Sequence, residues 1–65
     1  MNKQIGFIGL GKMAKAIIGG ILSADKEALI YGFDPVSSID GVEKLNSNIE
    51  VVKKCDVIFF CNEII

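Results

Sequence analysis

Apolar residues along this chain alternate between short runs and a helical rhythm. Ile5, Phe7 and Ile8 form an opening run, so residues 3–8 read as a strand. From Lys12 to about Ala24, Ala14, Ile17, Ile18, Ile21 and Leu22 recur at helical spacing. Residues 29–33 form a second strand, β-branched or aromatic at Ile30, Tyr31 and Phe33. Asp34-Pro35 closes it, because proline has no N–H to give to the ladder. Residues 35–41 (PVSSIDG) are turn-like and too short for a full helix, and residues 41–45 carry a short third strand. Ser47 with Glu50 three positions on is a capping box, which starts a short helix through Lys53-Lys54. Those two charges suit a helix C-terminus. Asp56 ends that helix and begins the last strand, residues 56–61, whose unbroken apolar run predicts burial on both faces of a parallel sheet.

The order β-α-β-loop-β-α-β, with right-handed crossovers, gives an α/β fold with a Rossmann-like parallel sheet and strand order 3-2-1-4. Gly19-Gly20 inside the first helix costs on the order of 1 kcal/mol per glycine against alanine, which predicts close packing against a neighbour there. Only four residues follow the most apolar strand, too few to cover its second face or its edge. The 65 residues are therefore expected to be the N-terminal part of a larger two-domain protein.

The chemistry concentrates where the first strand meets the first helix. Gly9-Leu10-Gly11-Lys12-Met13-Ala14 is the G-x-G-x-x-A form of the turn that holds a dinucleotide pyrophosphate. Gly9 permits a sharp exit from the strand, and Gly11, lacking a Cβ, lets a phosphate approach the backbone. Ala14 takes the third, small position, where helix and strand pack tightly. The N–H groups opening the helix lack intrahelical partners and the helix dipole favours an anion beside them. Lys12 either adds a positive charge at the mouth or is simply solvated. The chain has no G-x-x-x-x-G-K-[ST] loop and no acidic residue just before its glycines, which sets aside nucleotide hydrolases and adenosylmethionine-dependent methyltransferases.

Composition narrows the picture. Half the residues are apolar and the mean hydropathy is +0.48, as in a protein core. Seven lysines against eight acids leave a net charge of −1, with no basic patch for nucleic acid. No apolar stretch reaches the roughly 20 residues of a membrane span, and no secretory h-region opens the chain. Cys55 and Cys61 flank the last strand without a histidine; they read as buried free thiols rather than metal ligands, in keeping with a reducing cytoplasm. Asp25, Lys26 and Glu27 form a solvated charge cluster. No residue reads as a nucleophile or general acid, so no catalytic or metal residue is assigned and redox chemistry is left to a bound nicotinamide.

Asp34 falls twenty residues after Ala14, where an acid accepts hydrogen bonds from the adenosine ribose and repels a 2′-phosphate. That leans towards NAD over NADP. The same carboxylate is equally suited to capping the Asp-Pro turn. Ser37 and Ser38 remain available to hydrogen-bond a phosphate.

IGFIGLGKMAKAIIGGIL closely resembles the opening of the pyrroline-5-carboxylate reductases, and GVEKLNSNIEVVKKCDVIFFC resembles that family's third strand, short helix and fourth strand. The likeness spans nearly all 65 residues, about a quarter of a typical member. It implies a cytoplasmic enzyme that reduces 1-pyrroline-5-carboxylate to L-proline with NAD(P)H. In such reductases residues 1–65 would be part of the NAD(P)-binding domain. A C-terminal helical domain, outside this chain, would form a homo-oligomer and most of the substrate pocket. The isolated segment would then not turn over. Cofactor contacts implied by matching positions are Ile8, Gly9, Leu10, Gly11, Lys12, Met13, Ala14, Asp34, Val36, Asn48 near the adenosine ribose, and the loop of Cys61 and Asn62. The chain departs from the family where Asn62-Glu63-Ile64 replaces a Val-Lys-Pro-like turn, reversing a charge beside the nicotinamide. β-Hydroxyacid and prephenate dehydrogenases share parts of the opening, and a non-catalytic dinucleotide-binding module is the other class that fits.

Overall fold

The computed structural model describes residues 3–61. Among them the elements run β1 (Gln4–Ile8), α1 (Lys12–Ala24), β2 (Leu29–Phe33), β3 (Glu43–Lys44), α2 (Asn48–Lys54) and β4 (Val57–Phe60). The strands are all parallel, in the order β3-β2-β1-β4. This is the expected Rossmann-like sheet, with β1 at its centre. Gly9 N–H to the Phe33 carbonyl (2.9 Å) and Cys61 N–H to the Ile8 carbonyl (2.8 Å) carry the pairing one step past the strand ends.

Successive side chains of a strand point to opposite faces, and β1 uses both. On one face Phe7 joins Leu10, Ala14, Ile18, Ile30 and Cys61 in the core beneath α1. Phe7 is fully buried, and its ring stacks on Phe59 with centroids 5.0 Å apart. On the other face Gly6 lies under α2, where fully buried Val51 and half-buried Cys55 close over it. Each fully buried side chain of this size contributes about 1.5–3 kcal/mol. Lys54, at the end of α2, places its Nζ 4.9 Å from the centre of the Tyr31 ring.

At Gly6 α2 packs closely on β1. A Cβ there would sit 2.6 Å from Val51 Cγ1 and 2.8 Å from Cys55 Sγ. Gly6→Ala is therefore expected to destabilise the protein by about 1–3 kcal/mol, read as a lower urea midpoint at unchanged slope. Gly19→Ala is the contrasting control. A Cβ at Gly19 meets nothing within 4 Å, so the substitution should raise stability by roughly the helix-propensity difference, about 1 kcal/mol. Equal effects at the two positions would contradict this packing.

Three local expectations change. Gly19 and Gly20 do not pack closely against any described neighbour; both lie on the exposed side of α1. The last strand is not buried on both faces: Val57 and Phe60 are exposed, and Ile58 and Phe59 half-buried. Among the described residues it lies at one edge of the sheet, with β3 at the other, and α2 lies chiefly against β1 and β2. The capping box is also shifted. Ser47 Oγ accepts the Glu50 N–H at 3.2 Å as expected, but Glu50 Oε1 accepts from Asn46 N–H at 2.8 Å, one residue before the cap.

Asp56 does more than end a helix. Its Oδ2 accepts the Gln4 N–H at 3.0 Å, and its own N–H donates to the Gln4 carbonyl at 2.8 Å. This pair pins the start of β4 to the start of β1.

Candidate functional site

At the C-terminal end of β1 the chain turns sharply into α1. Gly9 has φ +96°, in the region that L side chains rarely adopt, and its N–H is held by Phe33. Leu10 drops its side chain into the core, almost wholly buried. Gly11 is the extended N-cap residue (φ −84°) and offers no capping side chain. The first helical bond runs from the Lys15 N–H to the Gly11 carbonyl at 3.0 Å. The N–H groups opening α1 thus have no carbonyl partner within the helix, and no acidic side chain occupies its first turn. Ala14, with no exposed surface, lets α1 sit close on the sheet. Such an arrangement suits an anion with several oxygens, because backbone donors and helix dipole point the same way.

Asp34, just past β2, faces this turn. Its Oδ2 accepts the Leu10 N–H at 2.9 Å, and its Oδ1 accepts the N–H groups of Val36 and Ser37, each at 2.9 Å. The hydrogen bond from Leu10, then those from Ser37 and Val36, hold the carboxyl below its ordinary pKa, with the Lys44 charge adding to the effect and partial desolvation opposing it. A depressed folded-state pKa stabilises the fold fully above the ordinary carboxylate value near pH 4, and that stabilisation is lost as pH falls through the lowered value. The stability gap between wild type and Asp34→Asn should therefore be constant at pH 5–7 and narrow below about pH 4. A gap independent of pH down to acid unfolding would remove the ionised carboxylate from the account.

The residues singled out from the sequence divide by what they can present. Gly9, Gly11 and the start of α1 offer backbone, while Lys12, Met13 and Val36 are exposed around the turn. Leu10, Ala14 and Cys61 turn their side chains into the core, so only their backbone is available to a ligand, and Ile8 is buried but for its border on the depression beside Asn48. Asn48, exposed at the first position of α2, borders a shallow depression of about 430 Å³ with Ile8, Ile49, Val52 and Phe60. Asn62 lies outside the described residues, as do Glu63 and Ile64.

One role and one contributor lie beyond the sequence pattern. Ser37, named there only as able to hydrogen-bond a phosphate, donates its N–H to Asp34. Gly32 lets the turn close: a Cβ there would meet Leu10 Cδ2 at 2.8 Å and the Phe7 carbonyl at 3.2 Å. A glycine inside a β-branched and aromatic strand was the available signal for such an approach.

Cys55 and Cys61 are free thiols, both raised in pKa chiefly by burial; at Cys55 the neighbouring Asp56 charge adds to the rise. Among the described residues no three of His, Cys, Asp or Glu gather as a metal site. No helix among them is long and apolar enough to cross a membrane.

Comparison with known proteins agrees with this geometry. The chain is 29% identical to pyrroline-5-carboxylate reductase 3 of Bos taurus, over 94% of its own length and 22% of that protein's. It superposes on the crystal structure of Plasmodium falciparum pyrroline carboxylate reductase with NADP bound, with a TM-score of 0.84 and 30% identity, covering 94% of this chain and 24% of that one. The chain thus spans about a quarter of the length of these relatives, and its resemblance to pyrroline-5-carboxylate reductases holds in both sequence and fold. Residues 4–64 match the family described as NADP oxidoreductase, coenzyme F420-dependent, and the chain belongs to that family.

Proposed function

We propose that this chain is the dinucleotide-binding part of a pyrroline-5-carboxylate reductase, an enzyme that reduces 1-pyrroline-5-carboxylate to L-proline with a nicotinamide cofactor. The observation that carries the reading is the β1–α1 turn. Gly9 at positive φ, the side-chain-free cap at Gly11 and the opening of α1 together present backbone, with no capping side chain, where a pyrophosphate would sit. The likeness to two reductases of this kind supplies the substrate class. When bound, reduced nicotinamide supplies a hydride for the imine carbon, while the ring nitrogen gains a proton. This chain's share is to hold the pyrophosphate on backbone donors and to set the ribose against Asp34. The substrate pocket and the homo-oligomer contacts belong to the rest of such an enzyme, acting in the cytoplasm.

NADH is the preferred cofactor in this reading. Asp34 is held ionised, and the Val36 and Ser37 N–H groups, potential donors to a 2′-phosphate, are already given to it. The relative solved with NADP carries that cofactor itself; in this reading the Asp34 carboxylate would repel a 2′-phosphate.

The test is calorimetric titration of the protein as it is made in the cell with NADH and NADPH, alongside a pyrroline-5-carboxylate-dependent oxidation assay. Binding of NADH more tightly than NADPH, with turnover, is the expected result. Binding without turnover would point instead to a non-catalytic dinucleotide module, and binding of neither cofactor would end the dinucleotide reading.

A further inference from the structure

We propose that Asp34 is a positioning residue for the pyrophosphate as well as a neighbour of the ribose: one carboxylate fixes the anion-accepting turn, so affinity at the turn and selectivity at the ribose are coupled. This rests on the dinucleotide reading above.

The argument begins with Leu10, which stands between two glycines. Its side chain is anchored in the core, but the peptide planes on either side belong to residues with little steric restraint. The Leu10 N–H reaches out of the turn to Asp34 Oδ2 across 24 positions of sequence. That bond selects one orientation of the Gly9–Leu10 peptide and so aims the backbone that follows it. On its other oxygen the same carboxylate gathers Val36 and Ser37, fixing the loop after β2. A carboxylate oxygen accepts two hydrogen bonds, so taking the Leu10 N–H leaves Oδ2 with capacity for a ribose hydroxyl. One charged group therefore ties two loops together at the point where the dinucleotide would cross them. Replacing Asp34 with a basic residue to admit a 2′-phosphate would also release the turn, and NADPH would gain less than NADH loses.

The experiment uses the protein as isolated, with Asp34→Ala and Asp34→Asn variants, and two measurements. The first is amide hydrogen exchange without ligand. The second is titration with NADH and with its 2′,3′-dideoxyadenosine analogue, which lacks the hydroxyls that Asp34 would meet. Charge-assisted hydrogen bonds are strong enough that Asp34→Ala should speed exchange at Leu10 and weaken the analogue about tenfold through the turn, and NADH by a larger factor because its ribose contact is lost as well. Asn, which keeps one acceptor, should recover part of the loss. If Asp34→Ala weakens NADH while the analogue binds as to wild type, the residue acts through the ribose alone and the coupling is overturned. Unchanged exchange at Leu10 overturns it equally. Failure of the wild type to bind either nucleotide sinks the dinucleotide reading and the coupling with it, and an accelerated Leu10 amide in the variant marks that outcome as a fault of the ligand assignment.

Discussion

Phe7→Ala is expected to leave the protein largely unfolded or close to it at 25 °C. Phe7 has no exposed surface, sits in the central strand and stacks on Phe59. Truncating a buried phenylalanine costs about 3–5 kcal/mol, from lost transfer energy and from the cavity left behind. Native domains typically hold about 0.05–0.15 kcal/mol per residue, so the loss is comparable to all that 65 residues would themselves contribute. Circular dichroism during urea titration reads it directly. Phe60→Ala supplies the comparison within the same protein, since that ring is 71% exposed and its removal should stay within about 0.5 kcal/mol. A tolerant Phe7 and a sensitive Phe60 would mean that the core has been assigned to the wrong face of the sheet.

Gly9→Val is expected to abolish most dinucleotide affinity while altering little of the core. At φ +96° a β-branched side chain meets the neighbouring backbone, and holding a residue in such a region costs about 1–3 kcal/mol. Either the turn keeps its shape at that cost or Gly9 relaxes to negative φ. Relaxation moves the N–H bonded to Phe33 and swings the Leu10 N–H away from Asp34. If that strain opposes binding, NADH affinity falls by roughly 5–150-fold. Calorimetry on the folded variant, compared with Gly19→Ala on the open side of α1, separates the turn from the helix. Wild-type affinity in Gly9→Val would show that this turn does not hold the ligand.

Elements built from local pattern were legible in the sequence. α1 and β2 have the ends that their periodicity and the Asp-Pro stop predict, and Ser47 caps α2 as its spacing requires. Strand order followed from the succession of elements, right-handed crossovers and the Rossmann-like pattern. Burial was harder to read. The run at residues 57–61 records that those positions are apolar, yet only the placement of α2 over β1 and β2 decides which of them are covered. Gly19-Gly20 misled for a related reason: a glycine states that a side chain is missing, not what lies opposite. At the site, the glycines and Asp34 stood out by spacing, and both readings of Asp34 concerned residues near it in sequence or a ligand. Its bond to Leu10 is a tertiary contact that only the closed sheet creates, so no local signal carried it.

The place of β1 has a kinetic side. Of the four described strands it is the first synthesised, yet it lies in the interior of the sheet, and one of its partners, β4, is the last of the four. The Gln4–Asp56 clasp that closes this pairing spans 52 positions. A nascent chain therefore exposes Phe7 and Ile8 without their final cover until nearly all of these residues have left the ribosome. Pairing across such separations is slow, because the loop must close before contacts reward it. Folding should accordingly be an all-or-none event gated by arrival of β4. Nascent chains stalled before Val57 emerges should remain protease-sensitive throughout, including at α1.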